Sequence, residues 1–234
     1  MTAFDTLGAC TVDVTTKSVR GGVLTREQFL PHEMRIVAAL RMQGASDEQV
    51  IVRVKSENLF QYLTERMVAN RATVCLRRLD AMVPTDAVCA ARGSDPKTAV
   101  EAASSLTRLM ASGTPTQADQ AIFYSMICRY DIVRELVLVE VGERLQNFDY
   151  AFTAVDLNAF MTRFTTEYPD AARWTEATVK RIKGSLRHAG LIGEGQGLES
   201  ERLSPLFLDS DVERALVQLG EQSLIAALTG RAVM

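Results

Sequence analysis

Histidine and cysteine are scarce in this chain: two histidines and four cysteines in 234 residues. Cys10, Cys75, Cys89 and Cys128 are widely spaced with no Cys-x-x-Cys pair, and His32 and His188 lie far apart. The spacing of a structural zinc site is therefore absent, and nothing supports a histidine-based acid–base pair. Free thiols in a reducing compartment are expected, and the N-terminus lacks a signal-peptide pattern, so the expectation is a cytoplasmic protein. Long apolar runs are missing too. The most hydrophobic stretch, residues 132–141, contains Arg134, Glu135 and Glu140 and falls short of the roughly 18 apolar residues that span a bilayer. No phosphate loop, dinucleotide fingerprint or nucleophile elbow occurs. Gly193-Glu194-Gly195-Gln196-Gly197 superficially looks like a nucleotide loop, but it follows a helix where a strand is needed. Carboxylates are plentiful but show no metal-site spacing. The expectation is a non-enzyme with no metal, no cofactor, no small-molecule substrate and no membrane.

What is present is an ordinary globular composition: 47% hydrophobic and 24% charged residues, with a net charge of −3. That balance excludes a uniformly basic nucleic-acid coat, yet the charge is segregated. Between Arg53 and Arg78 six bases face two acids, a balance of +4, and between Arg173 and Gly190 five bases face Glu176 alone, again +4. From Glu194 to Glu221 seven acids face two bases, a balance of −5. Segregation of this kind can build a local positive potential on an acidic protein. Aromatics make up only 6% of the chain. Tyr124, Tyr130 and Trp174 are candidates for base stacking, although aromatics at helical spacing read first as core.

Periodicity predicts a mainly helical, all-α protein: helix-turn-helix or winged-helix-like lobes around a central helical core, with room for a short N-terminal or wing strand. An N-terminal lobe covers 1–84, including a Thr-, Val- and Gly-rich arm with Lys17 and Arg20. It holds a helix from about Arg26 to Gln43 with Thr25 as cap, a short helix opened by Ser46 with Gln49 near a capping box, a turn at Asn58, and a helix from about Tyr62 to Met82. A central core covers 85–150. There Ser94 or Asp95 caps a helix with Pro96 at its first position. A break follows at Ser112 to Pro115, and then a dense apolar run from Gln117 to Gln146, kinked or split around Arg129 to Asp131. A C-terminal lobe covers 151–234, where Thr153 or Asp156 opens a helix that Tyr168-Pro169 ends, and a final helix runs from about Ser210 to Thr229.

Thr175 to Ile192 is the most informative stretch. Val179, Ile182, Leu186 and Ala189 fall on one face of a 3.6-residue repeat, and Lys180, Lys183 and Arg187 follow one position later as a cationic row. Thr175 is a candidate N-cap, and Gly190 a stop after a last turn containing His188. A helix that buries one side and offers lysine and arginine beside it has the form needed to enter a DNA groove, and it is also an ordinary surface helix. Its exit through Ala189 to Ile192 into a glycine-rich turn and a short strand is how winged-helix modules leave their recognition helix. A surface loop is the plainer reading of the same glycines. The candidate DNA-binding residues are Lys180, Lys183 and Arg187, with Arg181 and Arg173 assisting, and Arg66, Arg71, Arg77 and Arg78 as a second surface. Arg77 and Arg78 could equally pair with Asp80 and other carboxylates. Five phosphate contacts would give a log–log salt slope of about −4 to −5.

Several strings in combination resemble the BrxA family of bacteriophage-exclusion (BREX) defence systems. They are the Gly44-Ala45-Ser46 turn followed by Glu57-Asn58-Leu59-Phe60-Gln61 and Leu76-Arg77-Arg78-Leu79; Ile127-Cys128-Arg129-Tyr130 running into Ile132-Val133-Arg134-Glu135-Leu136; Phe160 with Tyr168-Pro169; and Thr175-x-x-Thr178 leading through Arg181 and Leu186 to Ala189-Gly190-Leu191. Their order and spacing agree over roughly residues 20–230. The resemblance implies a small soluble helical protein of a multi-gene phage-defence locus. It would be a non-enzymatic component that binds double-stranded DNA beside methyltransferase and ATPase partners of the same system, and no catalytic residue carries over. The alternative is a helical adaptor whose basic patches meet acidic faces of other defence proteins without touching DNA.

Overall fold

Prolines and hydroxyl or carboxylate caps set where the helices begin. In the computed structural model, which describes residues 19–21, 24, 29–171, 176–193 and 201–231, the chain is mainly helical with one small three-stranded sheet. Helix α1 (Pro31–Met42) starts at Pro31 rather than near Arg26. The α region is disfavoured immediately before a proline, and proline suits the first helical position. Leu30 instead takes φ 56, which few non-glycine residues adopt. The expected cap, Thr25, lies outside the described residues. Helix α2 (Asp47–Ser56) opens on a reciprocal box: the Ser46 hydroxyl accepts from the Gln49 amide N–H, and the Gln49 side chain accepts from the Ser46 amide N–H. Helix α3 (Glu65–Ala81) begins later than Tyr62, because Asn58 and Gln61 in left-handed conformations turn the chain before Thr64 caps it. Helix α4 (Asp86–Arg92) is too short to show a period in sequence; Thr85 caps it. Helices α5 (Pro96–Ser112) and α6 (Pro115–Arg129) start at Pro96 and Pro115 behind Asp95 and Thr114.

The long apolar run splits at Tyr130, whose φ of −116 and ψ of 108 are extended. It resumes as α7 (Asp131–Glu135), a π-helical stretch (Leu136–Val141) and α8 (Gly142–Gln146). The N-terminal arm docks at this split. The Asp131 carboxylate accepts from the Arg20 amide at 2.7 Å and pairs with its guanidinium at 3.0 Å. Gly21, at φ +91, passes so close that a Cβ there would lie 2.4 Å from the Arg129 carbonyl oxygen; only glycine fits.

Strand β1 (Ala151–Phe152) leads to α9 (Ala154–Glu167), where Thr153 and Asp156 cap each other reciprocally. After a 3-10 turn (Pro169–Ala171) come α10 (Glu176–His188), β2 (Ile192–Gly193) and β3 (Glu201–Leu203). The strands pair antiparallel in the order β1-β3-β2, with Phe152 opposite Glu201 and Ile192 opposite Leu203. Helices α11 (Ser210–Gln218) and α12 (Gln222–Thr229) close the chain. Helix α12 lies against the π-helical stretch, and Gly142 permits the approach: a Cβ there would be 2.8 Å from that of Ala227. One contiguous set of buried apolar side chains extends from Leu24 to Leu228.

Candidate nucleic-acid interface

Helix α10 is seated by the apolar row its spacing requires. Ile182 and Leu186 are buried, Ala189 nearly so, and Val179 packs partly against them. Gly190, at φ 83, ends the helix. The adjoining cations do not share one fate. Lys180 is exposed and has no carboxylate partner among the described residues. Lys183 and Arg187 both converge on Glu201 of β3, at 2.9 and 2.5 Å. One carboxylate therefore offsets one of the two charges. Arg181 is half-buried and turned toward α1. Arg173 lies outside the described residues, as do Thr175 and Trp174.

The second set divides as well. Arg66 and Arg77 are exposed, with no ion-pair partner among the described residues, and Arg71 is half-buried. Arg78 is a correction to the sequence reading: its side chain is completely buried. It donates to the Phe29 carbonyl at 3.0 Å and lies over the Tyr130 ring, 5.5 Å from its centroid. Alternation on α3 turns Arg77 outward and Arg78 inward, so only the former can meet a polyanion. The anticipated pairing with Asp80 falls to a different cation, because Asp80 holds Arg41 at 2.9 Å. Tyr124 and Tyr130 are 2% and 1% exposed, which removes them from base stacking and leaves them as core.

A groove of about 570 Å³ runs between α10 and the start of α1, lined by Lys180, Arg181, Ser185, His188, Phe29 and Glu33 among others. The His188 ring stacks on Phe29 with centroids 5.2 Å apart and planes 12° apart. Glu33 is buried and accepts a hydrogen bond from the Tyr62 hydroxyl. Burial first, then that bond, pushes the Tyr62 hydroxyl up to about 12, so it remains a donor at neutral pH. Asp119 is also raised, by burial, against the opposing pull of Arg35 and His188. Glu201 and the Glu33–Tyr62 pair were not anticipated from the sequence. The only hint of Glu201 was its place in the acidic block after Glu194. No cluster of metal-ligating side chains occurs among the described residues, and none of their helices is long and apolar enough to cross a membrane.

Comparison with known proteins gives two positive findings. No curated protein matches the chain. A crystal structure of an uncharacterized protein from Magnetospirillum magneticum is similar at 18% identity with a TM-score of 0.66, over 90% of this chain and 96% of the other; at that identity the likeness concerns the fold alone. The BrxA family model matches residues 22–220. That match covers most of the chain and runs through every element from α1 to α11, so the protein belongs to the BrxA family, which ties it to BREX phage defence.

Proposed function

We propose that the protein is a non-enzymatic, cytoplasmic BREX component that binds double-stranded DNA through its phosphate backbone and works beside the methyltransferase and ATPase components of the system. The observation that carries this reading is α10: a helix anchored by Ile182 and Leu186 that presents Lys180 to solvent, with Lys183 and Arg187 alongside. The order of elements supports it. A strand, two helices and two further strands, with the last strand central in the sheet, is the connectivity of a winged-helix module. In such a module the second helix faces the groove and the turn between the last two strands forms the wing. Lys180, Lys183, Arg187, Arg181 and Arg173 are the proposed contacts on this side, with Arg66, Arg71 and Arg77 as a second surface.

Glu201 tunes this interface. Its carboxylate competes with duplex phosphates for Lys183 and Arg187, so fewer counterions are released than the sequence count suggests. The expected log–log salt slope falls to about −2 to −3, at roughly −0.9 per phosphate. A mobility-shift titration of a short duplex at two salt concentrations tests the reading. The wild-type protein retards DNA at low salt and weakens at higher salt. Lys180→Glu/Lys183→Glu loses about tenfold or more in affinity, and Glu201→Gln gains about threefold. No retardation at low salt, with the double variant instead losing co-purification of a locus partner, would overturn DNA binding in favour of an adaptor.

A further inference from the structure

Arginine outnumbers carboxylate in a second, smaller pocket, away from α10. This pocket, of about 250 Å³, lies where the N-terminal arm, the end of α3, α4, α6 and α7 meet, and its walls include Arg20, Arg92, Arg129, Arg134, Tyr124 and Cys128. Two of the arginines share one acid. Glu221, 2% exposed, receives Arg92 at 2.8 Å and Arg134 at 2.9 Å, and it also accepts from the Tyr124 hydroxyl at 3.2 Å. Arg20 is matched by Asp131. Arg129 is half-buried and has no ion-pair or hydrogen-bond partner for its side chain among the described residues. Among the described residues these four guanidinium groups are ion-paired only with the carboxylates of Glu221 and Asp131; Asp80, which shares a neighbouring cavity with Arg129, is paired with Arg41.

The remaining polar walls are neutral. Burial raises the Cys128 thiol to about 12 and raises the Tyr124 hydroxyl well above its usual value, so neither adds a negative charge at neutral pH. Each arginine offers five N–H donors, and those not bound to Glu221 or Asp131 need acceptors. Arg92 and Arg134, the more enclosed pair, share a single carboxylate, and a doubly charged, oxygen-rich ligand would complete the balance.

We infer that this pocket is a binding site for a dianionic phosphate group, held in bidentate fashion by Arg129 with Arg92, Arg134 and Arg20 around it. Guanidinium groups suit that geometry. The volume is below the roughly 300 Å³ at which drug-sized ligand sites begin, so the site takes the phosphate group with little else attached. Two sources share this chemistry, free phosphate and the 5′-phosphate at the end of a nucleic-acid strand. The site is independent of the α10 interface, because it uses none of its residues.

Thermal unfolding and calorimetric titration of the full chain with inorganic phosphate test the inference, with chloride at matched ionic strength as the reference. The expected result is a saturable rise in Tm that chloride does not reproduce. Arg129→Ala should keep the ligand-free Tm, since that side chain has no partner among the described residues, while weakening phosphate binding about tenfold or more. Arg20→Ala, on the exposed rim, should weaken it less. Competition by a 5′-phosphorylated dinucleotide but not its unphosphorylated form identifies a strand end as the source; competition by neither identifies free phosphate. Phosphate must still bind Lys180→Glu/Lys183→Glu, which separates this site from the duplex reading. A Tm unchanged by phosphate, or an equal response in wild type and Arg129→Ala, would overturn the site.

Discussion

A charged side chain acts according to what it touches, and Arg77 and Arg78 show how sharply neighbours can differ. Arg77 is exposed, whereas Arg78 is wholly enclosed between the Phe29 carbonyl and the Tyr130 ring. Arg78→Ala would leave that carbonyl without its donor and open a cavity. We expect a loss of about 2–4 kcal/mol, measured by urea unfolding, with the salt slope of DNA binding unchanged. Arg77→Ala should do the reverse: leave stability within about 0.5 kcal/mol and weaken retardation modestly. Glu201 of β3 sits on the basic face of α10. Two cations from α10 converge on it, and Glu201→Gln tests whether they are held in reserve or committed to the fold.

At the scale of elements, helix starts carry the acid sensitivity. Asp95 and Asp209 cap α5 and α11, Asp156 closes the capping box of α9, and all three carboxyls are held below their ordinary 3.8. The largest causes are the Thr98 backbone N–H, the Thr153 hydroxyl and the Gln117 side-chain amide, respectively. A depressed folded value means the stabilisation is complete above the unfolded pKa and disappears as pH falls through the folded one. Thermal unfolding followed by circular dichroism should show Tm steady from pH 7 to about 5 and falling below about 4. Asp95→Asn, which retains an oxygen cap, should fall less steeply in that window. Close helix packing gives a second expectation. Gly142→Ala places a methyl 2.8 Å from the Ala227 Cβ, which should cost about 1–3 kcal/mol in urea unfolding, and adding Ala227→Gly should recover part of it.

At the scale of the whole molecule, a protein of net charge −3 has no uniformly basic coat, so the proposed duplex binding would rest on one local face. Glu201 of β3, from the acidic block, reaches α10 and neutralises part of the basic row. If the proposed DNA binding holds, raising salt should weaken it less in the wild type than the cation count implies, and more steeply in Glu201→Gln, where more counterions are displaced. The apolar face of α10, the Ser46 box, the Asp95-Pro96 start and the Tyr130 split were legible because each is written in a few adjacent residues. The start of α1 was misplaced because Pro31 outranks apolar periodicity. The inward turn of Arg78 was hidden because the partners that hold it, Phe29 and Tyr130, are distant in sequence.

The sequence by itself determined a mainly helical protein of the BrxA family, with a basic amphipathic helix near its C-terminal end. Capping, periodicity and proline act over a handful of residues, and the family strings are read in order along the chain. Only the tertiary structure decided which cations are exposed, which share Glu201 and which are entombed, and that Arg92 and Arg134 meet on Glu221 beside Arg129. Electrostatic balance is a property of distances between groups remote in the chain, and those distances exist only once it is folded.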